Sequence, residues 1–151
     1  MKNLAACMLP VVLLAACAAG PVSDPMSPKE EVEAHMWGYT ETWNRHDAAG
    51  IARDFYRMGP SVEEQTASLE RSFEGLRAQG YHHSDIHAIL GCMTGEDTAW
   101  AGMRFTRLKA DGEPLPPRDR ASAYELKKFE DGWRITRMLG ANVNEPLACP
   151  E

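Results

Sequence analysis

A cluster of basic residues is missing from this chain, in which 16 lysines and arginines stand against 22 aspartates and glutamates over 151 residues. Proteins that bind nucleic acid need a basic surface that neutralises phosphates, so the sequence argues against a nucleic-acid partner. The same lack leaves no polybasic patch for an anionic membrane surface. Internal repeats are also absent, and the length suits one ordinary domain with its own core.

A long hydrophobic run is missing as well. Residues 4–16 are apolar apart from Cys7 and Pro10, but this segment is shorter than the roughly 20 residues that span a bilayer. With the basic start at Lys2, it is typical of a secretory signal. Its end, Leu14-Ala15-Ala16-Cys17, resembles the lipobox of bacterial lipoproteins.

The lipobox resemblance implies cleavage before Cys17, which would carry the lipid that anchors the mature chain to the membrane. The expected layout is a signal peptide over residues 1–16, the lipidated cysteine and a flexible, proline-rich spacer over residues 17–27, a folded domain over residues 28–145 and a C-terminal tail over residues 146–151. Because Ala18 follows the cysteine where aspartate would favour the inner membrane, the expected location is the periplasmic face of the outer membrane of a bacterial cell envelope. Ordinary signal cleavage after Ala16 or Ala19 is the alternative.

Cysteine is scarce in the folded part, where only Cys92 and Cys149 occur. The cell envelope permits disulfides, and a bond between these two would close a long loop and stabilise the fold by about 4 kcal/mol. Alternatively, Cys92 is a small buried apolar residue of a strand. Neither cysteine has the histidine and acidic neighbours of a catalytic thiol.

Helix-capping signals predict three helices at the start of the domain. Ser27 and Glu30 form a capping box with proline at the first helical position. Asp47 caps a short second helix, and residues 61–64 form a capping box for the third. Apolar residues recur at helical spacing in the first and third helices: Val32, Met36, Tyr39, Trp43, Leu69, Phe73 and Leu76.

From Tyr81 onward the apolar period changes to two, which predicts strands. The candidate strands are residues 83–93, 98–108, 120–129 and 133–139. Three helices followed by an antiparallel meander define an α+β fold, in which the helices pack on one face of a curved sheet.

Two segments give the chain a family resemblance. The first is Tyr39-x4-Asn44-x2-Asp47-x2-Gly50-Ile51-x3-Phe55, and the second is the last hairpin, residues 124–135, which ends in Gly-Trp-Arg-Ile. In this order they resemble the nuclear-transport-factor-2-like (NTF2-like) superfamily, which contains ketosteroid isomerases, SnoaL-like polyketide cyclases and non-catalytic members. The resemblance covers residues 28–140 and implies a conical cavity enclosed by the helices and the sheet. This fold hosts many chemistries, and also proteins with none.

The resemblance places Tyr39 where ketosteroid isomerases carry an oxyanion tyrosine. Such a phenol could donate a hydrogen bond to a developing enolate, although Tyr39 is also spaced as a core aromatic residue of the first helix. The general base of the isomerases has no counterpart, since residues 57–60 run straight into the third helix. Glu125, beside Tyr124, is the candidate for the second oxyanion acid, and a change of register by one residue would turn it to the other face.

Histidines after the third helix form another candidate site. His83, Asp85 and His87 alternate along the first strand and are expected on one face. Two imidazoles and a carboxylate suit zinc or iron, but neighbours about 7 Å apart are distant for one ion, and no cofactor is expected. As an acid–base group, His83 or His87 could replace the missing base if it faced the cavity. The alternative is a solvated, polar strand end.

Ligand-binding candidates complete the expected cavity. Arg104 and Arg107 stand on opposite faces of the second strand, so one of them is expected to point inward, where it would bind a ligand carboxylate or pair with an acid. Trp37 lies off the main apolar stripe of the first helix and is expected at the pocket mouth, with His35 at the rim. The candidate set is Trp37, Tyr39, Trp43, Arg104, Tyr124 and Glu125.

Three hypotheses for function follow from these features. The first is a lipid-anchored envelope domain that binds a small apolar ligand or a partner protein without turnover. The second is an isomerase, dehydratase or hydrolase that uses His83 or His87 together with Tyr39. The third is a structural role, with a homodimer formed across the sheet. The first two differ in whether either histidine shares a cavity with Tyr39.

Overall fold

The computed structural model describes residues 24–151, so the predicted signal peptide, Cys17 and most of the spacer lie outside the described residues. Three helices come first: α1 (Pro28–Asn44), α2 (Ala48–Asp54) and α3 (Val62–Ala78). Within residues 24–151, no helix is both long and apolar enough to cross a membrane.

Each helix begins at the polar cap that the sequence predicts. The Ser27 hydroxyl accepts a hydrogen bond from the Glu30 amide, and the Glu30 carboxylate accepts one from the Ser27 amide at 2.7 Å. Asp47 accepts from the Gly50 amide at 2.8 Å, and Ser61 caps α3 in the same way. These bonds satisfy amides that a helix leaves unpaired at its N-terminus, so the helices begin at these residues.

Four antiparallel strands follow and pair in chain order: β1 (His83–Met93), β2 (Thr98–Leu108), β3 (Arg120–Phe129) and β4 (Gly132–Gly140). A bulge at His87 in β1 and a second irregularity after Glu125 in β3 shift the strand register. Bulges increase the local twist and bend the bulged strand, so the sheet curves. The predicted α+β architecture, with three helices on a curved antiparallel sheet, is confirmed.

The core lies between the helices and the concave face of the sheet. Phe105 of β2 lies opposite Ile86 of β1 and Arg120 of β3, so these three side chains share the concave face. Helix α1 packs mainly on β1, whereas α3 packs mainly on α2, which leaves space between α3 and the strands. The largest fully buried side chains are those of Val32, Met36, Ile51, Phe73, Tyr124, Leu126 and Ile135.

The segment after β4, residues 141–151, includes the predicted tail of residues 146–151 and folds back over the outer face of the sheet; this whole segment is called the tail below. Arg104 of β2 donates hydrogen bonds to the carbonyl oxygen of Val143 at 2.6 Å and to that of Glu145. A disulfide joins Cys149 to Cys92 of β1, with their Cα atoms 5.6 Å apart. The tail is therefore held at two points and covers part of the face across which a homodimer is expected. The homodimer itself stays a prediction.

Trp100 lies on this outer face and not in the core, where its aromatic character suggests it would pack. Its ring lies over Gly102, where a Cβ atom would come within 2.3 Å of Trp100 Cη2 and 2.9 Å of Leu147 Cδ2. Glycine at this position therefore allows the indole and the tail to pack closely on the strand.

Candidate functional site

An open cleft lies between α3 and the sheet. Its volume is about 660 Å³, and its walls come from α3, from the loop between α2 and α3, and from the ends of α1, β2 and β4. Met58 and Met138 belong to the cleft and are exposed although they are apolar. Further apolar lining comes from Trp43, Leu69 and Leu76, and charged lining from Glu64, Arg71 and Arg107.

A smaller cavity of about 50 Å³ lies behind the cleft, enclosed by α1 and by residues from all four strands. Trp43, Arg107 and Met138 line both spaces, so the two adjoin. We call the cleft and the inner cavity together the funnel. Among the described residues, no histidine and no carboxylate lines the inner cavity.

Three tyrosines come together at the funnel. The hydroxyl oxygens of Tyr39 on α1 and Tyr56 after α2 lie 3.0 Å apart, and the Tyr124 ring packs edge-on against Tyr39 with centroids 5.7 Å apart. Burial raises the pKa of all three phenols, and the neighbouring tyrosines raise that of Tyr39 further. The phenols are therefore neutral near pH 7 and can donate a hydrogen bond to an acceptor such as a carbonyl oxygen.

Tyr56 is a residue that the sequence reasoning missed. Its backbone forms an isolated bridge with Ile135 of β4, beyond the end of α2, and its hydroxyl also contacts Met138 Sδ at 3.9 Å. Tyr56 lies in a connection between two helices, where neither the helical nor the strand spacing of apolar residues indicates an inward side chain. The only available signal was its place directly after Phe55, the last residue of the family-like motif.

A polar network holds Trp43 in the funnel wall. The Trp43 indole donates a hydrogen bond to the Tyr81 hydroxyl at 3.1 Å, and that hydroxyl lies 2.9 Å from Ser84 Oγ. The Asn44 side chain donates to the Ser84 carbonyl oxygen and accepts from the Ser84 amide. These bonds tie the end of α1 to the start of β1, so the position of Trp43 depends on both elements.

Of the two β2 arginines, Arg107 faces the funnel and Arg104 does not, which corrects the choice of Arg104 as a ligand-binding residue. Met103 and Phe105 point into the core, and Arg107 continues their alternation. Arg104 lies on the outer face, where it binds the tail. Alternation in the sequence separates the two arginines but does not say which face is inward.

Glu125 also lies on the outer face, which corrects the prediction that it binds a ligand in the cavity. Its carboxylate pairs with Arg137 of β4, and its neighbour Tyr124 takes the inward position. A second oxyanion acid is therefore not supplied by this strand. The sequence could not place Glu125, because one residue of register exchanges the two faces.

His83, Asp85 and His87 do share one face, but it is the outer face. His87 Nε2 lies 2.8 Å from Thr106 Oγ1, and His83 Nδ1 lies 3.0 Å from His82 Nδ1. Neither His83 nor His87 lines the funnel with Tyr39. Over residues 24–151, no three histidine, cysteine or acidic side chains converge to hold a metal ion. The proposed catalytic and metal-binding roles of these residues therefore lose their geometric basis.

Trp37 and His35 lie elsewhere than expected. Trp37 is 44% exposed and lines neither part of the funnel. His35 packs inward against the Phe55 ring, with centroids 4.9 Å apart. Burial, and to a smaller extent the charge of Arg134, lowers the pKa of His35 to about 4.

A helical layer and a curved, four-stranded antiparallel sheet that together enclose a funnel define the NTF2-like class of α+β proteins. The chain belongs to the family described as NTF2-like protein (DUF6841), whose family model matches residues 29–143. The wider fold family includes both ligand-binding and enzymatic members. No curated protein sequence matches the chain at a significant level.

Solved structures share the fold at low sequence identity. A domain of unknown function with a cystatin-like fold from Nostoc punctiforme matches with a TM-score of 0.58 and 16% identity, covering 76% of each chain. An NTF2-like protein from Novosphingobium aromaticivorans matches with a TM-score of 0.54 and 18% identity, covering 72% of this chain and 77% of that one. A ketosteroid isomerase-like protein from Erwinia carotovora atroseptica matches with a TM-score of 0.50 and 20% identity, covering 72% and 91%. Such likenesses show the fold alone.

Proposed function

We propose that this protein is a lipid-anchored domain of the bacterial cell envelope, which binds a small, largely apolar ligand in its funnel without converting it. The supporting observation is the combination of a partly apolar cleft with an inner cavity that, among the described residues, contains hydrogen-bond donors but neither a histidine nor a carboxylate. The cleft volume of about 660 Å³ also lies within the roughly 300–1,000 Å³ of small-molecule sites.

The two parts of the funnel suit two parts of a ligand. The cleft takes the apolar body, against Met58 and Met138, whose flexible thioether side chains adapt to different shapes. The inner cavity of about 50 Å³ has room for one small polar group. There Tyr39 and Tyr124 can donate hydrogen bonds to it.

The protonation state of the inner cavity supports binding over turnover. General base catalysis needs a proton acceptor within hydrogen-bond distance of the substrate, with a pKa near the working pH. Burial raises the pKa of Tyr39 and Tyr124, so these phenols keep their protons, and the Arg107 guanidinium is a donor only. A ligand in the inner cavity is therefore held by donors and meets no strong base.

Ligand retention in the envelope tests this proposal. We expect native mass spectrometry of protein purified gently from the envelope fraction to show a small organic molecule that is lost on denaturation. Gly75→Trp should abolish its retention, because Gly75 lines the cleft and nothing lies within 4 Å of the Cβ position, so the indole has room there. Ala78→Trp, on the same helix but outside the cleft lining, is the matched control. An empty protein would instead favour a partner protein as the ligand.

Anchoring is tested separately at the cysteine of the lipobox. The N-terminal peptide of the mature protein should begin at Cys17 and carry the mass of a diacylglyceryl group. Cys17→Ser should remove this mass and release the protein from membranes, whereas Cys7→Ser should change neither. An N-terminus at Cys17 or Gly20 without lipid would show ordinary signal cleavage and contradict the anchor.

A further inference from the structure

Arg107 occupies an unusual position in the funnel wall. It lines both the cleft and the inner cavity, and its guanidinium carbon lies 5.8 Å from the Tyr81 ring centroid and 5.9 Å from the Phe105 ring centroid. Both rings are close enough to attract the guanidinium by cation–π interaction, which does not use its hydrogen-bond donors. The side chain is therefore held in place while its donors stay available.

Arg107 has no anionic partner within the described part of the chain. Its Nε is buried without a hydrogen-bond acceptor, and no carboxylate of residues 24–151 lies within ion-pair distance. By contrast, four other arginines pair with acids: Arg53, Arg57, Arg134 and Arg137. Arg107 is partly buried, and burying a cation without a partner is unfavourable, so an anion that entered the funnel would offset part of that cost.

A second arginine strengthens the positive charge at this place. Arg120 of β3 lies opposite Phe105, two residues before Arg107 on the same concave face. Its Nε is also buried without a partner among the described residues, and its Nη2 donates to the Pro116 carbonyl oxygen at 2.8 Å. Burial lowers the pKa of Arg120, and the charge of Arg107 lowers it further.

We propose that the funnel ligand is an organic carboxylate, whose carboxylate group binds the Arg107 guanidinium with Arg120 as a supporting charge, and whose apolar body lies in the cleft. This inference rests on the proposed function and narrows its ligand class. Arginine presents a planar pair of donors that matches the two oxygens of a carboxylate. The Tyr81 and Phe105 rings beside it favour a body that is apolar close to the acid group.

The other charged residues of the cleft do not change the proposed binding of the carboxylate at Arg107. Glu64 and Arg71, both on α3, line the outer cleft, and they carry opposite charges. Neither lines the inner cavity, where Arg107 is the only charged residue among those described. An anion is therefore attracted to the junction of the cleft and the inner cavity, where Arg107 lies.

A pair of probes that differ only in charge tests the proposal. The full-length protein, held in lipid nanodiscs, is titrated calorimetrically with 2-naphthoate and with neutral 2-naphthamide at pH 7, with empty nanodiscs as the blank. We expect 2-naphthoate to bind at least tenfold more tightly than the amide. Arg107→Gln should weaken naphthoate binding at least tenfold and leave amide binding unchanged. Arg120→Gln should weaken naphthoate binding by a smaller factor.

Two further variants separate the role of the charge from that of the fold. Arg107→Lys keeps the charge without the paired donors and should give an intermediate loss, which covers the case in which Arg107→Gln fails to fold. Arg118→Gln, at an exposed loop position, is the matched control and should change nothing. Equal binding of the two probes, unaffected by Arg107→Gln, would overturn the carboxylate proposal and leave ligand binding standing. If neither probe bound, the proposed function would fail as well.

Discussion

At the scale of single residues, the hydrogen bond between Tyr39 and Tyr56 can be tested for its contribution to stability. The Tyr39 side chain is buried, and its hydroxyl oxygen lies 3.0 Å from that of Tyr56. Tyr39→Phe keeps the ring packing and removes one hydrogen bond. We expect the protein to remain folded and to lose about 1 kcal/mol of unfolding free energy. Urea unfolding measures this loss.

A double-mutant cycle assigns the loss to the bond between the two tyrosines. If the hydroxyls stabilise each other, the double variant Tyr39→Phe/Tyr56→Phe should cost less than the sum of the two single variants. Strict additivity would show that the two hydroxyls act independently, contrary to the geometry.

His35 gives a prediction for pH dependence. The folded protein has a His35 pKa of about 4, caused first by burial and then by Arg134, whereas an unfolded histidine titrates near 6.5. Between these values the unfolded chain binds a proton that the folded chain does not. The stability from a neutral His35 is therefore complete above pH 6.5 and is lost as the pH falls toward 4.

A variant without the His35 imidazole measures how much unfolding free energy this residue costs as the pH falls. From pH 7 to pH 4.5, we expect the wild type to lose about 2 kcal/mol more unfolding free energy than His35→Gln. Chemical denaturation at the two pH values measures the difference. His82→Gln, at an exposed position, serves as the control and should follow the wild type. Parallel loss in wild type and His35→Gln would show that His35 does not carry the effect.

At the scale of secondary-structure elements, the contact between α1 and β1 depends on Gly91. A Cβ atom at this position would lie 3.0 Å from Glu33 Cγ, 3.2 Å from Val32 Cγ1 and 3.3 Å from the Lys29 carbonyl oxygen. Gly91→Ala should therefore push α1 away from the sheet and cost roughly 1–3 kcal/mol of unfolding free energy, measured by thermal or urea unfolding.

Gly75 offers the matched control for this substitution. It lies in α3, is exposed and has nothing within 4 Å of the Cβ position. Gly75→Ala should stabilise the protein by roughly 0.5–1 kcal/mol, because alanine loses less backbone freedom than glycine in a helix. If both alanine variants changed stability in the same direction, close packing would not be the reason for glycine at position 91.

At the scale of the whole molecule, the tail and its disulfide hold the outer face of the sheet. The bond between Cys92 and Cys149 joins residues 57 positions apart. In the chain-entropy model, such a loop stabilises the fold by about 4 kcal/mol. Cys92→Ser/Cys149→Ser should therefore lower the melting temperature under oxidising conditions.

A reductant distinguishes loss of the bond from damage to packing. Wild-type protein in dithiothreitol should melt close to the double serine variant, and the variant itself should not respond to dithiothreitol. If the reductant left the wild-type melting temperature unchanged, the bond would not be what holds the tail.

The elements of this protein could be read from its sequence because their signals are local. Serine and aspartate caps at Ser27, Asp47 and Ser61 mark where helices begin, and the strands follow from a period of two. Of the predicted site, Tyr39, Trp43 and Tyr124 do line the inner cavity, since each belongs to an apolar stripe that must face the core.

Only the tertiary structure decided which polar residues face the funnel. The bulge at His87 and the pairing of β2 with its neighbours turn Arg107 inward and Arg104, Glu125 and the strand histidines outward. The tertiary structure also brought Tyr56 to Tyr39 and carried the tail across the sheet. Alternation along a strand assigns side chains to two faces, but the inward face depends on register and on what packs there, and both are properties of the assembled fold.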